Sequence, residues 1–119
     1  MANIKASLDE LMTLDGAMCA AVVDYSSGMM LGSVGAGLDL EVAAAGNTEV
    51  VRAKMKTMKN LGLRDVIEDI LITLGAQYHL LRPSARNDGV FVYFVLDKQR
   101  SNLAMARRKL QDVDKDLTI

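Results

Sequence analysis

Four places in this chain carry residue types that could do chemistry: the glycines of Gly32–Gly37, the single thiol Cys19, the single imidazole His79, and the adjacent acids Glu68 and Asp69. The glycine run reads GSVGAG. After a strand and before a helix, such a run can offer backbone amides to a phosphate. Its spacing, however, is G-x-x-G-x-G, the reverse of the dinucleotide pattern, and no Gly-Lys-Ser/Thr follows. It reads as a flexible strand-to-helix connection. A cysteine nucleophile needs a base to generate its thiolate. Cys19 lies among short side chains in AMCAAVVD, which reads as a core thiol. His79, between Tyr78 and Leu80, reads as a packing or edge residue. Glu68 and Asp69 are consecutive on an expected strand and would point to opposite faces, so they do not converge on a metal. No triad and no supported carboxylate pair emerges. The residues therefore predict no catalytic residue, no metal site and no cofactor: a binding module, not an enzyme.

The scaffold that positions these residues centres on Val90–Leu96, VFVYFVL. Val90, Val92, Phe94 and Leu96 alternate with Phe91, Tyr93 and Val95, so both faces of a strand here are apolar. Such a strand belongs inside a sheet with helices on both sides. Residues 3–14 have a helical stripe of Ile4, Leu8, Leu11 and Met12, with Asn3 as N-cap. Ala17–Asp24 and Met29–Val34 form a hairpin through Tyr25–Gly28. Asp39 caps a long helix reaching Asn60, with Gly62 just past its end. Val66–Leu74 is the third strand, Gly75-Ala76 a two-residue turn with glycine first, and Gln77–Arg82 the fourth strand. Ser101 caps a last helix with Leu103, Ala106, Leu110, Val113 and Leu117 on its stripe. The order is α-β-β-α-β-β-β-α. Tight turns impose antiparallel pairing, which gives an α/β (α+β) sandwich on one antiparallel sheet.

Composition agrees with one globular domain spanning residues 1–119. Half the residues are hydrophobic and 24% charged, and the net charge is −1. The balanced charge argues against nucleic acid or an anionic membrane as partner. No apolar run approaches the roughly 20 residues of a membrane span. A single cysteine and no leader at the start predict a cytoplasmic protein.

The long helix carries two apolar stripes where a surface helix needs one. Val42, Ala43, Gly46, Val50 and Ala53 form the smaller, which is expected to lie close on the sheet. Ala44, Val51, Met55 and Met58 form the larger, which is then left without cover, with Thr48 on a solvated edge. Uncovered apolar stripes mark interfaces. The third strand, with Ile70 and Ile72, falls at an end of the sheet and offers unpaired backbone groups. Together these six residues predict the interface of a homodimer.

The chain as a whole resembles the Roadblock dynein-light-chain family, especially its small bacterial members. The resemblance rests on AAVVDYSSGMMLG (Ala20–Gly32), LDLEVAAAGNTEVVRAK (Leu38–Lys54), IEDILITLGAQYHLLRP (Ile67–Pro83) and NLAMARRKL (Asn102–Leu110), in that order and spacing. It implies a five-stranded antiparallel sheet with the long helix on one face and the terminal helices on the other. It implies dimers joined through the long helices and third strands. It also implies regulation or scaffolding of a Ras-like small GTPase, in some bacterial members by stimulating GTP hydrolysis. The family has no shared catalytic motif. The alternative is a ligand-sensing module of profilin-like shape, with the glycine-rich exit as a pocket rim.

Overall fold

The computed structural model describes residues 1–119. Helix α1 (Ile4–Leu11) precedes strands β1 (Ala17–Asp24) and β2 (Met29–Gly35). Helix α2 (Leu40–Asn60) is followed by β3 (Ile70–Thr73), β4 (Gln77–Pro83), β5 (Val90–Asp97) and α3 (Leu103–Asp116). All pairings are antiparallel, in the order β2-β1-β5-β4-β3. The architecture is the α+β sandwich expected from the sequence.

Strand β5 is the middle strand, and Val90 through Leu96 are all buried. Its two apolar sides enter two cores. Val90, Val92, Phe94 and Leu96 pack with Leu8 and Leu11 of α1 and Ala106, Leu110 and Val113 of α3. Phe91, Tyr93 and Val95 pack with Cys19, Ala21 and Val23 of β1 and with Ala44 and Val51 of α2. One sheet face therefore carries two helices and the other carries one.

Local chemistry sets the element ends. Asn3 and Asp39 cap α1 and α2, accepting from the amides of Ala6 and Val42. Beyond α2, Gly62 takes φ +72°, and the amides of Gly62 and Leu63 donate to the carbonyls of Lys59 and Met58. This left-handed stop needs a residue without a Cβ. The third helix is capped by Asn102, whose side chain accepts from the Met105 amide, and not by Ser101. Ser101 is diverted: its hydroxyl donates to the Asp97 carbonyl at 2.6 Å, tying the loop back to β5. Gly75-Ala76 joins β3 to β4, yet Gly75 does not take positive φ, so this is not the turn with glycine in the mirror conformation.

The largest departure lies before β3. The sequence predicts a strand from Val66, but only Ile70–Thr73 pairs with β4. Val66 is 78% exposed. Strand β4 ends at Pro83, which has no amide to extend a ladder. The neighbouring Arg82 sends Nη1 to the Glu68 carbonyl at 3.0 Å. A side chain thus takes the carbonyl that a ladder would have used.

Candidate interaction site

The residues singled out for chemistry do not assemble into a reactive centre. Cys19 and His79 share the sheet face under α2, each opposite Val95 of β5. Two strand spacings, roughly 9–10 Å, separate them, so the imidazole cannot act on the thiol. Burial pushes the Cys19 thiol pKa up, away from what a nucleophile needs.

His79 is bonded on both ring nitrogens: Nε2 lies 2.8 Å from Gln77 Oε1, and Nδ1 2.8 Å from the Tyr93 hydroxyl. The Gln77 oxygen can only accept, so Nε2 carries the proton and Nδ1 accepts from Tyr93. Burial lowers the His79 pKa and keeps the ring neutral. Burial also pushes the Tyr93 hydroxyl up to about 12.

The glycines of the β2 exit serve packing. A Cβ on Gly32 would lie 2.5 Å from Ile4 Cγ2, so Gly32 lets α1 close on the sheet. Gly35 has φ +83°, and a Cβ there would collide with the Met18 carbonyl oxygen. A cleft of about 670 Å³ lies elsewhere, between the C-terminal end of α2 and the segment before β3. Its floor includes Met55, Met58 and Ile67. Glu68 and Asp69 stay apart: Glu68 is exposed, while Asp69 accepts from Arg107 of α3 at 2.9 and 3.1 Å.

The two stripes of α2 are reversed from the sequence expectation. Ala44 and Val51 are buried against the helix's own sheet, and Met55 is half-buried with them. These residues cannot serve as the uncovered stripe. The reason is volume. Beneath α2, β1 contributes the small Cys19 and Ala21, so the helix must supply bulk, and a Gly/Ala stripe would leave a void. Thr48 is also buried, not on a solvated edge; its hydroxyl donates to the Ala44 carbonyl at 2.7 Å and so is satisfied without water. The uncovered stripe is Val42, 67% exposed, with Gly46, Val50 and Ala53. A Cβ on Gly46 would meet nothing within 4 Å.

Ile70 and Ile72 are placed as expected on an edge strand, half-buried beside the α2 core. Val50, Lys54 and Met58 line a groove with Ile70, so this flank of α2 faces the β3 side of the sheet. This trough, between the α2 flank and the start of β3, is open to solvent; His79, the cross-strand neighbour of Ile72, lies on the same sheet face one strand in from the edge and does not line it.

On the opposite sheet face, sequence reasoning missed one cluster. Asp114 of α3 is 1% exposed and accepts from Arg82 Nε at 3.1 Å, Ser84 Oγ at 2.5 Å and the Ala85 amide at 2.9 Å. It anchors the β4–β5 loop to α3. The signal was a carboxylate four residues after Leu110 and three before Leu117, on the buried side of an amphipathic helix.

No family model matches the chain, and no curated protein matches it by sequence. Solved structures do match by fold. A Roadblock/LC7 domain from Streptomyces avermitilis superimposes with TM-score 0.83 at 10% identity, covering 96% of this chain and 93% of that one. Myxococcus xanthus MglB gives 0.82 at 18% identity, covering 94% and 89%. The gliding protein MglB from Thermus thermophilus gives 0.71 at 16% identity, covering 92% and 87%. The chain thus has the Roadblock/LC7 fold, as the resemblance in its sequence implies.

Proposed function

We propose that this chain is a non-catalytic, dimeric regulator or scaffold of a Ras-like small GTPase, working in the cytoplasm as one domain over residues 1–119. One observation supports the dimer most: the open edge of β3 lies beside an uncovered apolar flank of α2. Edge strands with free amides and carbonyls are templates for pairing. A two-fold axis beside β3 would pair it with its copy, continue the sheet and bring the two α2 flanks together. The interface is then Ile70 and Ile72 with Val50, Ala43 and Met58. Ala44, Val51 and Met55 support it from beneath. Sheet edge and helix flank together can reach the roughly 1,200–2,000 Å² of a stable interface.

The GTPase role rests on the family resemblance and on the fold shared with MglB. The non-enzyme reading rests on the separation of Cys19 from His79 and the raised thiol pKa. Ligand sensing is the weaker reading, because Arg82, the most enclosed cation at the cleft beside the end of α2, is already bonded to Asp114 and the Glu68 carbonyl.

The test has two arms. Light scattering at micromolar concentration should give a dimer, and a monomer would refute that half. A panel of bacterial Ras-like GTPases should yield one that is retained on the immobilised chain and whose GTP turnover is measured with and without it. Retention of none, or GTP hydrolysis by the isolated chain, refutes the other half.

A further inference from the structure

Strand β2 ends the sheet on the side away from β3. Its outer backbone groups have no strand partner in the chain, and pairing through β3 leaves them free. The strand reads MMLGSVG, without a charge or a proline to blunt it. Between it and α1 runs a groove of about 620 Å³, lined by Ile4, Lys5, Leu8 and Asp9 of α1 and by Leu31 and Val34 of β2. Leu31 falls between the pairs Val22–Gly32 and Val23–Met30, the unpaired residue of a bulge, and is 42% exposed. We propose that this edge takes up an extended segment of another protein, which adds to the sheet as a further strand and lays alternate side chains in the groove. The inference goes beyond the GTPase reading and depends on neither the dimer nor the GTPase.

A free strand edge beside a helix recognises main chain first. Amides and carbonyls of the added strand hold it, and the groove reads every second side chain. The rim sets the charge. Lys5 and Asp9 pair at 2.8 Å yet stay 87% and 51% exposed, so both heads are open to an occupant. They stand one helical turn apart, about 6 Å along the axis. Alternate side chains of a strand stand about 6.8 Å apart. A long acid can therefore lay its stem on Ile4 and its carboxylate on Lys5. A long base two residues along then lays its stem beside Leu8 and its head on Asp9. The segment that fits carries an acid and a base at alternate positions.

A second copy of this chain fits less well. Its β2 has no charged residue for Lys5 or Asp9. On the α1 side it presents Gly32, which brings no side chain to the groove.

Panning the full chain against a phage-displayed library of random peptides supplies the probes, and each enriched peptide is synthesised and measured by fluorescence anisotropy. The enriched set should carry an acid and a base two residues apart. Methylating alternate backbone nitrogens should abolish binding in one register and spare it in the other, because only one set of amides faces β2. Leu31→Lys puts a charge on the edge and should weaken binding about tenfold or more. Lys5→Asp combined with Asp9→Lys keeps the pair on the helix and should select peptides with acid and base interchanged. No enriched peptide, an enriched set without the charge pair, indifference to methylation in both registers, or full affinity in Leu31→Lys overturns the proposal. So does self-association that Leu31→Lys abolishes, which puts a second copy on this edge. If Leu31→Lys does not fold, the methylation registers and the charge exchange decide. Val50→Glu, aimed at the β3 dimer, should leave peptide affinity unchanged, so loss of the dimer and loss of strand addition are told apart.

Discussion

The two faces of the sheet are closed to different degrees. The face under α1 and α3 is the more fully covered: Leu8, Leu11, Ala106 and Leu110 are buried against it, Leu71 and Tyr78 toward the β3 edge are half-buried, and Asp114 stitches α3 to the β4–β5 loop. Ion pairs Lys109–Glu10 and Arg107–Asp69 brace its rim. The face under α2 has one helix over five strands, and Ile70, Ile72 and His79 keep contact with water. The difference shows where the chain's own cover is thinnest. Two helices cover most of their face; the single helix leaves Ile70, Ile72 and His79, toward the β3 edge, half-exposed.

Adjacent residues on α2 give the sharpest test of that contrast. Val51 is fully buried and Val50 is 37% exposed. Val51→Glu should destabilise the protomer by about 4–5 kcal/mol, since it buries an unpaired charge. Val50→Glu should change denaturant midpoints little but convert dimer to monomer. Equal loss of folding in both would mean that the α2 flank is not a free surface. Phe94→Ala, in the core under α1 and α3, should cost about 3–5 kcal/mol in urea unfolding without shifting the dimer equilibrium beyond that loss. Asp114→Ala should cost about 3 kcal/mol, because it leaves Arg82 partly buried without its partner. Proteolysis should then cut first in the β4–β5 loop, and cutting elsewhere would deny Asp114 its role as anchor. The smallest effect is the most discriminating. Gly46→Ala should stabilise the protomer by about 0.5–1 kcal/mol, because a mid-helix glycine is replaced where a Cβ meets nothing. If the α2 stripes of two copies approach closely, the same methyl should weaken the dimer; unchanged affinity would place the contact lower, on Val50 and β3.

Much of this was legible in the sequence, because strong periodicities decide it. Val90–Leu96 has no polar side, so it had to be interior, and it is. Asn3, Asp39 and Gly62 marked helix ends by side-chain chemistry that acts locally. What failed depended on neighbours. A wheel shows that α2 has two apolar stripes but not which one fits Cys19 and Ala21 beneath it. Ile67, with Ile70 and Ile72, has strand propensity, yet an arginine from β4 and a proline beside it stop the ladder. Asp114 went unmarked because its partners stand some 30 residues away in sequence. The edge position of Ile70 and Ile72 followed from the meander alone, which needs no side-chain detail.

The two ends of the chain are tied to one another: the Ala2 amide donates to the Asp116 carbonyl, and the Thr118 amide donates to the Ala2 carbonyl. Both ends therefore leave the molecule from one point, on the sheet face that α2 does not occupy. A fluorophore, a surface tether or a fused protein added at either end hangs behind the sheet and leaves the α2–β3 trough free. By the same closeness, a short linker could join the ends and new ones be opened at the exposed segment around Val66. Such a rearranged chain should keep both cores, so the order in which the strands are synthesised can be separated from the shape they make.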